Sequence, residues 1–131
     1  MKHLIAAWKF ARNHDFHPNM GFNHCAIVVG KGGKILSIGF NRYGWTSIQN
    51  RKKYSNDKIC SVHAEVDALL KLPNREDAQG STVYVVRVNK SKELAMSAPC
   101  SMCEEILREH GVKKAIFSVN ENENTFGTMR F

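Results

Sequence analysis

Two short segments, His63-Ala64-Glu65 and Pro99-Cys100-Ser101-Met102-Cys103, each run straight into a helix with one apolar face, and Pro99 follows Glu65 by 34 residues. If these groups act together, the chain must fold so that two helix N-termini point at one place. Cys100 and Cys103 are three apart, so both sulfurs lie on one side of a first helical turn. The partial positive charge of a helix N-terminus, added to that of a metal, favours the thiolate form that binds zinc. His63, Cys100 and Cys103 then supply three ligands. Zinc is usually four-coordinate, so three protein ligands leave a position for a water whose pKa falls to roughly 7. Glu65 is the carboxylate that need not bind the metal and is expected to carry protons. It stands two residues from His63, and such neighbours do not share a face of a regular helix. Near the open end of a helix a long side chain can still reach forward.

A competing arrangement uses Cys60, three residues before His63. Cys60-x-x-His63 with Cys100-x-x-Cys103 is a four-ligand set, the pattern of a closed structural zinc without catalysis. Structural knuckles usually lie in turn-rich surroundings, whereas both half-motifs here enter apolar-faced helices. In the three-ligand reading Cys60 and Cys25 are buried thiols.

Apolar periodicity between Gly and Pro breaks yields the order helix, hairpin, helix, strand, helix, strand. The first helix is expected over 3–13, with Leu4, Ile5, Trp8 and Ala11 on one side. Strands are expected over 24–29 and 35–40, joined by a glycine-rich turn, with a loop over 41–61. A second helix, 62–72, is stopped by Pro73 and has Val66, Leu69 and Leu70 as its core side. The apolar run 82–88 suits a central strand covered on both faces. A third helix, 100–110, carries acids early and bases late and ends at Gly111. A strand over 115–119 follows. After Val119 only 12 residues remain, too few for a crossover and a parallel strand. A fifth strand over 125–131 must therefore turn back antiparallel; a frayed tail is the competing reading. The expected architecture is α/β, one domain over 1–131 in three α/β/α layers around a mixed four- to five-stranded sheet.

The formal net charge is +7, which implies attraction to anions such as nucleotides. Between Asn41 and Cys60, five basic residues stand against Asp57. That segment is read either as a solvated loop or as a phosphate-facing one. Trp45 within it is either a base-stacking residue or a loop anchor, and Trp8 is read as core. His3, His14, His17, His24 and His110 lack ligand spacing to other candidates, His24 beside Cys25 excepted. No export signal or membrane-length apolar stretch is evident, so a cytoplasmic protein without a membrane partner is expected, and a homo-oligomer.

The paired motifs resemble those of the cytidine and deoxycytidylate deaminase superfamily, which also includes tRNA adenosine deaminases. His63-Ala64-Glu65-Val66-Asp67-Ala68-Leu69 is similar to the first metal motif of that family and Pro99-Cys100-Ser101-Met102-Cys103 to the second. Gly111-Val112-Lys113-Lys114 matches the usual lead into the next strand. The resemblance implies a zinc bound by His63, Cys100 and Cys103, with Glu65 as proton shuttle. Gly39-Phe40-Asn41 is similar to a segment whose asparagine contacts the sugar, which makes Asn41 a substrate candidate; its plainer reading is a polar residue ending a strand. Ala64, Ser97, Ala98 and Pro99 would line the base pocket, partly through backbone groups. Histidine as first ligand resembles the deoxycytidylate and tRNA branches, and the short tail resembles the free-nucleoside branch. The resulting expectation is zinc-dependent deamination of a small cytosine nucleotide or nucleoside, deoxycytidylate favoured. A polynucleotide or tRNA deaminase and a non-catalytic zinc module are the alternatives.

Overall fold

The computed structural model describes residues 2–15, 21–43, 61–120 and 125–131. Trp45, Cys60, His17 and the basic residues over 51–58 lie outside them. The first helix, α1 (Lys2–Asn13), buries Leu4, Ala7 and Ala11. The buried stripe is thus narrower than expected: Trp8 flanks it, half-buried, with Arg12 against its ring. β1 (Phe22–Val29) and β2 (Ile35–Phe40) form the expected antiparallel hairpin, in which Gly33 takes a positive φ of 85°.

Where a loop over 41–61 is expected, its described ends are strands, β3 (Arg42–Tyr43) and β4 (Ser61–Val62), in a short antiparallel pair. This pairing leads straight into α2 (Ala64–Leu70), two residues shorter than expected at each end. A short 3-10 turn, Arg75–Ala78, precedes β5 (Thr82–Asn89). β6 (Leu94–Ala95), α3 (Ser101–Glu109), β7 (Lys114–Ser118) and β8 (Phe126–Arg130) complete the described chain. The stop at the end of α3 is the one expected. Gly111 adopts φ 80°, while Val112 N–H reaches Leu107 O and Gly111 N–H reaches Arg108 O, satisfying carbonyls the helix leaves open.

The main sheet runs β2-β1-β5-β7-β8, with β6 paired to the end of β5. Among the described strands only β5 and β7 are parallel, linked through α3, and the tail returns antiparallel as β8. The apolar run of β5 is central as read, flanked by β1 and β7. β6 escaped the sequence reading because two residues carry no detectable alternation.

Strand alternation divides the core into two layers. Ala26, Val28, Val83 and Val85 face α2 and α3, packing with Val66, Leu69, Ile106 and Leu107. Cys25, Ile27, Val86 and Val88 face α1. Helices thus cover both sides of the sheet in three layers. No helix among the described residues is long and apolar enough to cross a membrane.

Candidate metal centre

His63 and Cys100 are both N-cap residues, at the starts of α2 and α3. Each has extended backbone (φ −73°, ψ 151° and φ −69°, ψ 169°), and neither side chain caps its own helix. Their carbonyls nevertheless accept the first helical hydrogen bonds, from Asp67 N at 2.9 Å and Glu104 N at 2.8 Å. Ser, Thr, Asp or Asn normally fill this position because their side chains satisfy open N–H groups. Here both caps forgo that stabilisation, which leaves the imidazole and the thiol for another partner. Cys103 occupies the third helical position of α3, the place whose side chain folds back toward the cap.

Three donor groups converge. His63 Nδ1 lies 3.6 Å from Cys100 Sγ and 3.3 Å from Cys103 Sγ, and the three ligand atoms all lie within 4.8 Å of one another. Tetrahedral zinc with ordinary Zn–N and Zn–S bonds would separate N and S by about 3.5 Å, so the cluster is already at zinc-binding dimensions. Its protonation fits the same role. The hydrogen bond from Cys103, helped by His63, holds the Cys100 thiol down to about 4. The bond to Cys100 and burial push Cys103 well up, while the Cys100 contact raises His63. A dication displaces the protons that such a cluster shares. Nitrogen and thiolate sulfur are the donors zinc prefers, so His63, Cys100 and Cys103 fit Zn²⁺.

Glu65 is buried against this cluster, at 6 % exposure. Burial pushes its carboxyl up, and it shares a hydrogen bond with Cys103. Because His63 stands before the first helical turn in extended backbone, the rule that residues two apart diverge on a helix does not apply. The Cys60 alternative falls on a residue outside those described.

The remaining candidates divide between contact and support. Ala64 opens α2 and is buried. Asn41 Oδ1 accepts from His24 N at 2.7 Å, and Asn41 Nδ2 donates to Phe22 O at 3.2 Å, so the side chain fastens the end of β2 to β1. Ser97 is buried, its hydroxyl engaging Val85 O and Ser118 Oγ, both at 2.8 Å, and its N–H engaging Ser118 O. That anchor fixes the segment entering α3, while Ala98 is exposed and Pro99 buried beside it. Cys25 is fully buried, and burial pushes its thiol up to about 12. His24 and Cys25 point to opposite faces of β1, so they form no second metal pair.

Two residues near the site escaped the sequence reading. Asp67, almost wholly buried, accepts from Phe40 N at 2.9 Å, Arg42 Nε at 2.9 Å and Lys71 Nζ at 2.8 Å. It ties the Asn41 segment to the helix carrying Glu65. Arg87 interrupts the apolar run of β5. The available signals were a second acid beside Glu65 in an otherwise apolar helix and a single charge in an apolar strand.

The chain matches, over residues 2–119, the family described as the cytidine and deoxycytidylate deaminase zinc-binding region. No curated protein matches it. Among solved structures it is similar to cytidine deaminase from Burkholderia pseudomallei, with 22 % identity, a TM-score of 0.66, and 98 % of this chain and 91 % of that one covered. Cytidine deaminase from Mycobacterium leprae aligns at 18 % identity and a TM-score of 0.58, covering 95 % of this chain and 88 % of that one. The enzyme from Mycobacterium tuberculosis aligns at 16 % identity and a TM-score of 0.53, covering 91 % and 88 %. These likenesses concern the fold. The family match spans the three ligands, Glu65 and the strands that position them, and on that ground the chain belongs to the cytidine and deoxycytidylate deaminase zinc-binding family.

Proposed function

We propose that the protein catalyses hydrolytic deamination of a cytosine nucleotide or nucleoside, with a deoxycytidylate-like substrate, releasing the uracil product and ammonia. One observation carries this reading: three converging zinc donors with a buried carboxylate against them, at the meeting of two helix N-termini. His63 Nδ1, Cys100 Sγ and Cys103 Sγ would hold the metal. Zinc bound there supplies the Lewis acidity that makes water a nucleophile at neutral pH. Glu65 takes a proton from the water that adds to the ring carbon bearing the amine. It returns protons to the adjacent ring nitrogen and to the departing nitrogen as the C–N bond breaks. One carboxylate serves both transfers because it touches the cluster without belonging to it. Ala64 and the anchored segment Ser97, Ala98 and Pro99 border the base, the latter mainly through backbone groups. Asn41, whose amide is bonded to β1, is assigned to the sugar on the family resemblance of the Gly39-Phe40-Asn41 segment. A phosphorylated substrate agrees with the basic charge of the chain and with histidine as first ligand.

The test is a panel of cytidine, deoxycytidine, their monophosphates, adenosine and single-stranded DNA, followed by ammonia release and absorbance change. Glu65→Gln should lower turnover by about 10²- to 10⁴-fold while zinc content persists. Absence of turnover on every compound, or a Gln variant of full activity, would overturn the reading.

A further inference from the structure

The face of the sheet that packs on α2 and α3 does not end at its apolar core. Beyond Ala26 on β1 and Val85 on β5, the next residues on that face are His24 and Arg87, direct partners across the two strands. Neighbouring strands stand about 5 Å apart, so the two side chains rise together toward the side where α3 begins. Phe22 follows His24 along the same face. The Arg87 guanidinium carbon lies 3.7 Å from the centroid of the Phe22 ring, and the Phe22 and His24 rings meet edge to face at 5.0 Å and 90°. The His24 backbone N–H bonds Asn41 Oδ1 at 2.7 Å, and Arg87 pairs on its other side with Ala95, at the head of the segment that runs through Ser97 into α3. Arg87 thus stands between the strand that Asn41 fastens and the segment that leads to Cys100.

Arg87 differs from the paired arginines nearby. Arg42 bonds Asp67 and Arg108 bonds Glu104, whereas Arg87 has no carboxylate partner among the described residues. It is half-buried, and its flat face is occupied by the phenyl ring. Stacking fixes the plane of a guanidinium and leaves its N–H edge as a preformed fork for a planar or tetrahedral oxyanion. The position also fits topologically. Arg87 lies near the carboxyl end of β5, which is parallel to β7 through α3, and ligands of such units bind in the crevice beyond the carboxyl ends of the strands.

We propose that Arg87, seated on Phe22 beside His24 at the end of the sheet where α3 begins, binds the 5′-phosphate of a nucleoside monophosphate and so selects nucleotide over nucleoside. This rests on the deaminase reading of the site and names the group that gives it specificity. A monoester dianion matches a single unpaired fork better than a polynucleotide backbone, which needs a row of cations to track successive phosphates.

The experiment compares the zinc-loaded full chain with Arg87→Gln and Arg87→Lys, using dCMP and deoxycytidine as substrates. Calorimetric binding of dUMP and deoxyuridine gives a readout independent of turnover. The wild type should prefer dCMP. Arg87→Gln should lower the dCMP-to-deoxycytidine ratio of kcat/KM by roughly 10- to 100-fold, mainly through KM, with a matching loss of dUMP affinity. Arg87→Lys, which keeps the charge without the fork, should restore part of both, and it carries the test should the Gln variant fail to fold. Equal loss on both substrates, no preference in the wild type, dUMP binding indifferent to Arg87, or turnover confined to single-stranded DNA would each overturn the proposal. Arg87-dependent dUMP binding without turnover of either substrate would keep the phosphate site and remove the deaminase reading; turnover without Arg87 dependence would do the reverse.

Discussion

Replacing Gly39 by alanine tests how tightly the sheet is locked to the helix that carries Glu65. A Cβ built on Gly39 would lie 2.5 Å from Ala64 O and 2.7 Å from Ala68 Cα, and closer still to Ala68 N. All three atoms are α2 backbone, so no side chain can swing aside. Comfortable carbon contacts begin near 3.5 Å, and β2 and α2 must therefore separate by about 1 Å. That movement stretches the bond from Ser37 Oγ to Ala68 O, now 2.7 Å, and the bond from Phe40 N to Asp67 Oδ2, now 2.9 Å. Overpacking costs about 1–3 kcal/mol and each of the two weakened hydrogen bonds about 1 kcal/mol, so the total is roughly 3–5 kcal/mol. For a chain of this size that corresponds to a melting point lower by about 10–20 °C. Urea denaturation of zinc-free protein reads the loss without stabilisation from bound metal. Gly32→Ala is the control, since a Cβ there meets nothing within 4 Å; it should stay within about 0.5 kcal/mol of wild type. A Gly39→Ala protein as stable as that control would show that strand and helix yield freely, and the close-packing argument would fail.

Asp67 provides a pH test. Burial pushes its carboxyl up, but hydrogen bonds from Lys71, Phe40 N and Arg42 outweigh burial and hold it below the ordinary value. A depressed native pKa contributes stability that is complete above the unfolded value, near 4, and is lost as pH falls through the native one. Asp67→Asn should therefore cost about 2 kcal/mol at pH 7, with the gap to wild type closing below about pH 4 in denaturant midpoints; a gap constant with pH would refute the assignment. Cys25, buried with its thiol near 12, should escape alkylation of the native protein at pH 8, and mass mapping that finds it modified would contradict its place beneath α1.

The chemistry was legible in the primary sequence because it is local. Spacing marks His63, Cys100 and Cys103 as donors while leaving Cys60 as a competing fourth, and the stop at Gly111 and the antiparallel tail follow from residue type and remaining length. Helix and strand periods likewise marked the central strand, since a run such as Val83 to Val88 has few other fates. Other features depend on neighbours distant in the chain. Nothing in its own segment shows that Asn41 is bonded to β1, that Ser97 is an anchor, or that Asp67 gathers three donors. The alternation of β1 and β5 placed His24 opposite Arg87 only once those strands had paired in register. Residue types and spacings thus determined which atoms could hold a metal and move a proton. Tertiary packing decided their distances, the buried carboxylate beside them and the guanidinium stacked on Phe22 opposite His24, because burial and charge proximity are properties of segments brought together and not of any one segment.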